Sequence, residues 1–351
     1  MATAREDPGE ALPWSIAWAR AASGPRGFYS VGAGARLWPH RYFRTSVHVG
    51  DVFHRALATL LVDVDDRLGR PDRLDVVDVG AGRGELLPGL LDALPGDVSE
   101  RVRAVAVAVH PAPDGYDPRV TWIVGSAPDA VPTHVRGMVV ANEWLDDVPL
   151  DVVQLDDDDD AVRLVLVDPD GTERLGPSID NENAWAHWAL DAGRAREWLA
   201  RWWPLTPATA AAGDRAEVGL TRDDAWRAVV ARLDAGTALA IDYGHREHQR
   251  RPTLTGYRLA GRVVAPVPDG SVNLTAHVAV DSVAAAAGVR DGIRRQHEAL
   301  AALGVSAALP ASALAAHDPS AYADALEAAS DAAELLDESG LGAFAWVLLD
   351  R

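Results

Sequence analysis

A short glycine-rich segment at residues 78–85 carries the strongest chemical signal in the sequence. It reads Asp-Val-Gly-Ala-Gly-Arg-Gly-Glu, with Gly80, Gly82 and Gly84 at alternate positions. Gly80 permits a tight turn, and Gly82 lets the backbone approach a ligand because no Cβ stands in the way. A helix that follows the segment would present free N–H groups and the positive end of its dipole to an anionic group. The segment therefore predicts a ligand-binding loop.

The glycine spacing separates two classes of ligand. A dinucleotide fingerprint, G-x-G-x-x-G, needs glycine at position 85, where the chain has Glu85. Asp78 instead precedes Gly80 by two residues, and this D-x-G-x-G-x-G pattern resembles motif I of class I S-adenosylmethionine-dependent methyltransferases. The resemblance implies that the loop packs against the methionine and ribose parts of the cofactor, with Asp78 near its amino group. We count Asp78 and Glu85 with the three glycines as cofactor-binding residues. A nicotinamide-dependent oxidoreductase and a ligand-free turn are the weaker alternatives.

The elements that must position this loop are predicted to form a doubly wound α/β sheet. Residues 74–79 are an apolar run that ends at glycine, as a buried parallel strand does, and a helix is predicted over residues 85–94. Further apolar runs predict strands at residues 103–109, 120–124, 135–141, 237–243 and 342–349. Because strands and helices alternate with short links, the expected fold is a Rossmann-like class I methyltransferase sheet.

Two further segments are predicted to add to this sheet. Residues 1–48 contain a helical pattern at 10–23 and then an aperiodic loop, which we expect to cover the cofactor. Residues 49–351 are assigned to the methyltransferase domain, with a helical lobe inserted at about 156–235. The five consecutive Asp residues at 156–160 are interpreted as a solvated hairpin tip, since they lack the ligand spacing of a calcium loop, and no metal site is predicted.

Polar residues follow two of the predicted strands, at the edge where α/β sheets bind their ligands. Asn142 offers an amide that could orient a target nitrogen, and Glu143 a carboxylate that suits a guanidinium. Asp146, three residues after Glu143, is predicted either to face the same cleft or to act as a helix N-terminal charge. Asp242 and Tyr243 end another strand and are predicted to line the substrate side of the cleft. A turn or capping role is the structural alternative.

The second predicted strand lacks the acid that accepts ribose hydroxyls in nucleotide-binding sheets of this kind. Residues 107–111 read Val-Ala-Val-His-Pro, and the nearest acids, Asp114 and Asp117, come several residues later. Three interpretations stay open. One of these acids folds back, His110 substitutes for the acid, or ribose binding is weakened.

Five ordered segments over about residues 27–290 resemble the MidA family of class I methyltransferases. They are N-E-x-x-D-x-x-P at 142–149, I-D-Y-G at 241–244, Gly-Phe-Tyr-Ser at 27–30, Phe-Arg-Thr-Ser at 43–46, and Thr-Leu at 253–254 followed by Asn-Leu-Thr-Ala-His-Val at 273–278. The resemblance implies S-adenosyl-L-methionine as cofactor, and its mitochondrial members imply protein arginine methylation. Thr45 is predicted either to line the cofactor pocket from the N-terminal loop or to anchor that loop, and Asn142 is counted with the cofactor-binding residues. The resemblance further implies that His277 is catalytic, together with Asn142, Glu143 and Asp146 at the strand end. For His277 a structural hydrogen bond is the alternative.

The chain departs from the MidA pattern at several acidic positions. Tyr42, His48 and Asn273 stand where that family has carboxylates. These losses motivate a second hypothesis, in which a methyltransferase scaffold with weakened catalysis acts as a binding or assembly factor. The five tryptophans of residues 183–203 would then form a partner surface.

Composition limits the classes of partner. The net charge is −19, and all 33 basic residues are Arg, which argues against a nucleic-acid binder. The absence of Cys excludes disulfides, a catalytic thiol and thiolate metal sites. No apolar run approaches the ~20 residues of a membrane helix, and Arg5, Glu6 and Asp7 stand where a signal peptide would be apolar. We expect a cytoplasmic protein with a protein substrate and leave a homodimer open.

Overall fold

The computed structural model describes residues 11–30, 45–258, 261–289 and 291–351. The predicted first helix begins at Trp14 and ends at Ser23. Most of the predicted cofactor-covering loop, including Phe43 and Arg44, lies outside the described residues. The predicted extents 1–48, 49–351 and 156–235 stay predictions.

Strands and helices are numbered here in chain order over the described residues. The strands are β1 Leu12–Pro13, β2 Leu74–Val79, β3 Val102–Ala108, β4 Val120–Val124, β5 Val135–Asn142, β6 Asp151–Leu155, β7 Val162–Val167, β8 Glu173–Ser178, β9 Arg215–Val218, β10 Leu233–Asp242, β11 Gly244–His245, β12 Thr255–Arg258, β13 Arg262–Val264, β14 Asn273–Thr275, β15 Val278–Ala279, β16 Ile293–Arg295 and β17 Ala345–Asp350. The helices are α1 Trp14–Ser23, α2 Val52–Arg67, α3 Leu86–Ala93, α4 Gly96–Ser99, α5 Glu182–Ala186, α6 Ala192–Trp202, α7 Leu220–Val230, α8 Val280–Ala286, α9 Gln296–Ala302, α10 Ser312–His317 and α11 Pro319–Leu336.

The chain divides into two compact units. One, the parallel unit, comprises residues 43–145, 226–244 and 284–351. The other, the antiparallel unit, comprises residues 1–42, 146–225 and 245–283.

A seven-stranded sheet forms the centre of the parallel unit, in the order β16-β17-β10-β5-β2-β3-β4. Strands β10, β5, β2, β3 and β4 run parallel to one another, and β17 is antiparallel to both of its neighbours. From β2 the chain proceeds outward to β3 and β4, then returns to β5 on the other side of β2. The β2–β5 pair is therefore a topological switch point, where sheets of this kind bind ligands. This arrangement confirms the predicted Rossmann-like α/β fold.

Continuous burial explains why the central strands read as unbroken apolar runs. All six residues of β2 are buried, and one face of the sheet packs against helices α2, α3, α9 and α11. The sheet contributes Val76, Met138, Val140, Leu239 and Ile241 to that core, and the helices contribute mainly leucines and alanines. A parallel sheet buried in this way holds its strand ends rigidly, and those ends carry the predicted site.

The antiparallel unit contains the sheet β1-β7-β6-β9, with β8 paired to β7, and a smaller sheet β13-β12-β14. Alternate residues of β6 enter different apolar clusters: Val152 packs with Trp14 and Trp18, and Val153 with Trp185 and Trp198. Residues 156–235, predicted as a helical lobe, thus contain strands β7, β8 and β9 as well as helices α5, α6 and α7. The Asp run does form the hairpin tip between β6 and β7, where Arg163 contacts Asp156 and Asp159.

A buried guanidinium, that of Arg222 on α7, fastens two segments of the antiparallel unit together. Its side chain is 1% exposed and lies 5.6 Å from the centre of the Trp18 ring. It donates hydrogen bonds of 2.7–3.0 Å to the carbonyl oxygens of Asp146, Val148, Ala276 and His277. Carbonyl dipoles therefore stabilise this buried charge, and the charge in turn fixes residues 146–148 relative to residues 276–277.

We predict that Arg222→Met lowers the free energy of unfolding by about 3–5 kcal/mol, because it leaves four carbonyl oxygens without their shared donor. Urea denaturation followed by circular dichroism measures the change. Arg227→Met, on the exposed side of the same helix, is the matched control and should shift stability by less than about 1 kcal/mol. Equal stability losses in the two variants would contradict the fastening role.

Candidate cofactor and active site

The glycine loop lies at the carboxyl end of β2, at the switch point of the sheet. Gly80, Gly82 and Gly84 adopt φ of 74°, 53° and 83°, a left-handed conformation that glycine takes without a steric cost. The N–H groups of Gly80 and Ala81 both donate to the Val107 carbonyl at 3.0 Å. These bonds fasten the turn to the end of β3.

Each glycine of the loop is required for a different reason. A Cβ on Gly80 would overlap the Trp144 side chain, and a Cβ on Gly84 would overlap the Tyr116 ring. A Cβ on Gly82 would meet no protein atom within 4 Å. Packing within the chain thus explains Gly80 and Gly84, whereas at Gly82 the constraints are the backbone conformation and the access of a ligand to the backbone.

Asp78 places a carboxylate deep at the end of β2. Its side chain is buried, and no hydrogen-bond partner for it occurs in the part of the chain that the structure describes. Burial and the nearby charge of Glu85 raise the pKa of Asp78 to about 7. A buried carboxylate in this state gains stability from a positively charged ligand group.

Thr45 and Glu85 are linked through a residue that the sequence did not single out as part of the site. The Thr45 hydroxyl lies 2.8 Å from Nδ1 of His48, and Nε2 of His48 lies 3.7 Å from the Glu85 carboxylate. Burial raises the pKa of Glu85, but the nearby His48 imidazole, the backbone N–H of Glu85 and the charge of Arg83 more than offset this, so the pKa falls below its ordinary value. Glu85 precedes α3 and stays ionised at neutral pH.

Asn142 and Glu143 come at the end of β5, level with the glycine loop in the sheet register. Glu143 adopts φ of 50°, which is strained for a residue with a side chain. Its N–H donates to the Ile241 carbonyl at 2.8 Å, while its Oε1 accepts from the Asn142 amide at 3.2 Å and from the Ser46 N–H at 3.4 Å. The amide oxygen of Asn142 is buried without a partner in the described residues. Strained and unsatisfied groups concentrate at this strand end.

Asp242 and Tyr243 lie at the end of β10, next to β5. The Asp242 carboxylate is buried and accepts from the Tyr243 N–H at 2.9 Å. The Tyr243 ring packs against Phe344 with centroids 5.5 Å apart. The structure therefore brings Asp78, the glycine loop, Asn142, Glu143 and Asp242 to one edge of the same sheet.

The two other predicted catalytic residues belong to the antiparallel unit. The Asp146 carboxylate accepts from the Thr275 hydroxyl at 2.8 Å, and it is buried. The backbone N–H of His277 donates to the Thr253 hydroxyl at 2.8 Å. Burial, and then the charges of Arg251 and Arg222, lower the pKa of His277, so its imidazole is neutral at pH 7.

Two aromatic residues that the sequence did not single out pack against the glycine loop. Tyr116 donates from its hydroxyl to the Gly84 carbonyl at 2.9 Å and packs edge-to-face on Trp122 at 4.9 Å. Trp144 covers Gly80. Sequence reasoning missed these residues because they are 32 and 64 positions from the glycines that they contact, and the available signal was only that Gly84 and Gly80 lack side chains. Asp117, a candidate ribose acid, uses both carboxylate oxygens to bind Arg119.

The family assignment rests on residues 56–298, which match a model described as "Putative S-adenosyl-L-methionine-dependent methyltransferase". The chain belongs to this methyltransferase family. Its cofactor is accordingly S-adenosyl-L-methionine, and its reaction class is methyl transfer. No curated protein matches the sequence.

Two solved structures are similar to the methyltransferase in fold. One is a COG1565 superfamily member from Burkholderia thailandensis bound to S-adenosyl-homocysteine. It is 24% identical to this chain, the match covers 97% of this chain and 88% of that chain, and the TM-score is 0.72. The other is a native crystal structure of a COG1565 superfamily protein from the same organism, with 24% identity, coverage of 97% and 87%, and a TM-score of 0.69.

The chemistry of the loop fits this cofactor. S-adenosyl-L-methionine carries a carboxylate, an ammonium and a sulfonium, so it suits both a helix N-terminus and a buried anion. Asp78 provides that anion, and the open side of Gly82 leaves the backbone accessible. Within the described ranges, no group of three or more acidic and His side chains could hold a metal ion. Nor does any described helix have the length and apolarity needed to cross a membrane.

We predict that Gly82→Ala weakens S-adenosylhomocysteine binding by about tenfold or more, because the added methyl group stands where the backbone must approach the ligand. Gly69→Ala is the matched control, since Gly69 also has a positive φ of 77° and an open Cβ direction. Both variants should lose about 1 kcal/mol of stability from backbone strain, and only Gly82→Ala should lose affinity in isothermal titration. Equal affinities in the two variants would remove Gly82 from the site.

We also predict that S-adenosylhomocysteine affinity rises with pH through about 7, the pKa of Asp78. The ionised carboxylate attracts the ligand ammonium, and its fraction grows about tenfold between pH 6 and pH 8. Asp78→Asn should abolish this dependence, whereas Asp63→Asn, on an exposed position of α2, should retain it. Wild-type affinity that is flat from pH 6 to pH 8 would contradict the prediction.

Proposed function

We propose that the methyltransferase modifies a side-chain nitrogen of a protein, with arginine as the leading acceptor, and that it belongs with the MidA proteins. The ordered segments from residues 27 to 278 support this proposal through their resemblance to that family. On sequence grounds alone we further propose a cytoplasmic protein and leave a homodimer open.

The observation that carries the proposal is the conformation of Glu143. A left-handed φ at a non-glycine residue persists only where the surroundings enforce it, and such residues cluster at functional sites. The Asn142 amide and the Ser46 N–H hold one oxygen of this carboxylate. A fixed carboxylate is the natural partner of a planar guanidinium, which it can bind through two parallel hydrogen bonds.

In the proposed reaction, Glu143 binds and orients the acceptor nitrogen. S-adenosyl-L-methionine supplies an activated methyl group when bound, so positioning accounts for most of the rate. As the nitrogen lone pair forms its bond to the methyl carbon, the carbon–sulfur bond breaks and S-adenosylhomocysteine leaves. The guanidinium loses one proton, and we propose that the Glu143 carboxylate accepts it.

We assign cofactor binding to Thr45, Asp78, Glu85, Asn142 and the three loop glycines. The Thr45–His48–Glu85 contacts support this assignment, because they join the end of the N-terminal segment to the start of α3 within the parallel unit. That residues 1–48 cover the cofactor stays a prediction.

The remaining candidates keep narrower roles. Asp242 and Tyr243 are proposed to line the acceptor side, since they end the strand next to Glu143. Asp146 is proposed as a positioning residue, because the Thr275 hydroxyl holds its carboxylate. His277 is proposed as a proton acceptor on the basis of its neutral imidazole.

One specific observation favours a second candidate function. No carboxylate directly follows β3, and Asp117 is bound to Arg119. A protein that binds the cofactor weakly and transfers no methyl group would instead act as a binding or assembly factor.

We predict that Glu143→Gln lowers methyl transfer at least about 100-fold, the range expected when a proton acceptor is removed, and leaves S-adenosylhomocysteine affinity within about threefold. The assay follows label from methyl-labelled cofactor into lysate proteins, with methylarginine identified after acid hydrolysis. Glu100→Gln, on an exposed position, should retain full transfer.

Other outcomes of this assay separate the alternatives. Label in another amino acid would overturn arginine as the acceptor. Cofactor binding without transfer by the wild type would support the assembly-factor hypothesis instead.

A further inference from the structure

Ser46, whose N–H contacts the Glu143 carboxylate, is itself held by a buried amide. Its Oγ lies 3.0 Å from Nε2 and 3.3 Å from Oε1 of Gln296, and both residues are 0% exposed. Gln296 begins α9, 250 residues further along the chain. This amide therefore holds the first residue of the short 3₁₀ helix Ser46–His48.

Trp346 fixes the direction of the Gln296 amide. The indole N–H of Trp346 lies 3.1 Å from Oε1 of Gln296, and an indole N–H can only donate. Oε1 is therefore the acceptor, and Nε2 donates to the Ser46 hydroxyl oxygen. Trp346 belongs to β17 and packs edge-to-face on Phe53, with ring centroids 6.4 Å apart. A chain of hydrogen bonds thus leads from the core of the parallel unit to the residue that contacts Glu143.

The backbone of Glu143 is held at the same place in the sheet. Trp346 lies opposite Ile241 in the pairing of β17 with β10. The Ile241 carbonyl accepts the Glu143 N–H at 2.8 Å, whereas the Ser46 N–H donates to the Glu143 carboxylate at 3.4 Å. The strained backbone and the side chain of Glu143 therefore have a common support at this pair of strands.

Packing alone does not account for a glutamine at position 296. An amide with no exposed surface loses its hydration, and only hydrogen bonds offset that cost. A methionine would fill a similar volume without polar atoms to satisfy. The backbone N–H of Gln296 already donates to the Phe344 carbonyl at 2.7 Å, so the start of α9 is held without the side chain. What the amide adds is its link between Trp346 and Ser46.

We propose that Gln296 is a positioning residue for methyl transfer, which acts through Ser46 to keep the Glu143 carboxylate in place for the methyl acceptor. The inference rests on the role of Glu143 in the proposed function. It assigns no contact between Gln296 and a ligand. A displacement of about 1 Å at a reacting group can lower a rate about 100-fold, so a buried amide outside the reaction can affect turnover.

The first test compares Gln296→Met with a matched control at saturating cofactor. Gln296→Met keeps the volume and removes the amide, and we expect methyl transfer into lysate proteins to fall about tenfold or more. Thr237→Val is the control, because Thr237 is also 0% exposed and its hydroxyl bonds to Asp350 at 2.6 Å and to Arg67 at 2.7 Å. Both variants should melt a few degrees below the wild type, and Thr237→Val should retain transfer.

A double-mutant cycle separates positioning from a general loss of structure. In the Glu143→Gln background, Gln296→Met should lower transfer by less than about twofold further, because the group that it positions is already lost. A merely structural role would lower transfer by the same factor in both backgrounds.

Hydrogen–deuterium exchange gives a readout that needs no activity. The Ser46 amide should exchange at least about tenfold faster in Gln296→Met than in the wild type, and at the wild-type rate in Thr237→Val. Unchanged exchange in Gln296→Met would contradict the anchoring of Ser46, whatever the activity.

The outcomes distinguish this inference from the proposed function. If Glu143→Gln loses transfer but Gln296→Met does not, or if the losses multiply in the double variant, the inference is overturned and the proposed function stands. A wild type that transfers no methyl group, or a Glu143→Gln variant with full transfer, would overturn both.

Discussion

The turn at the end of β2 is the constraint on which the site depends. Strands β2 and β5 are neighbours whose connections leave toward opposite sides of the sheet, so a crevice opens between their carboxyl ends. The chain must reverse there within a few residues and begin a helix. Three left-handed glycines achieve this, and the Val107 carbonyl holds the turn against β3. Tyr116 packs into the space that a side chain at position 84 would need, and Trp144 into the space that one at position 80 would need.

The same edge holds groups that reduce the stability of the folded chain. Asp78 is buried without a hydrogen-bond partner among the described residues, and Glu143 is strained. Such features cost about 1–3 kcal/mol each and persist only on a scaffold rigid enough to enforce them. The buried parallel strands are that scaffold, since their apolar residues pack against four helices. A local break with the rules of folding is expected where a site binds charged ligands.

The sequence predicted the parts of the site that depend on local pattern. The apolar run of β2, the glycine spacing and the polar pair Asn142–Glu143 each extend over a few residues, and all lie at the sheet edge where they were expected. Contacts between residues far apart in sequence could not be predicted, because it is the folded sheet that brings Tyr116 and Trp144 against the glycine loop. The hairpin of β6 and β7 was predicted from the Asp run at its tip, but β8 and β9 were not, because tryptophans at helical spacing favoured a helical lobe.

The positions that depart from the MidA pattern bear on whether the site is functional. His48 stands where that pattern has a Glu, and here its imidazole lies 3.7 Å from the Glu85 carboxylate, so an acid at position 48 would place two like charges together. Asn273 stands where the pattern has an Asp, and it shares the Tyr29 hydroxyl with Asp147. Burial and the charge of Asp146 already hold the pKa of Asp147 well above its ordinary range. A third carboxylate at position 273 would add to that repulsion, whereas an amide accepts the same hydrogen bond without charge. Both substitutions therefore match the charges of their neighbours in this chain. The two departures therefore avoid like-charge contacts, with Glu85 in one case and with Asp147 in the other, and break no hydrogen bond that the described residues make.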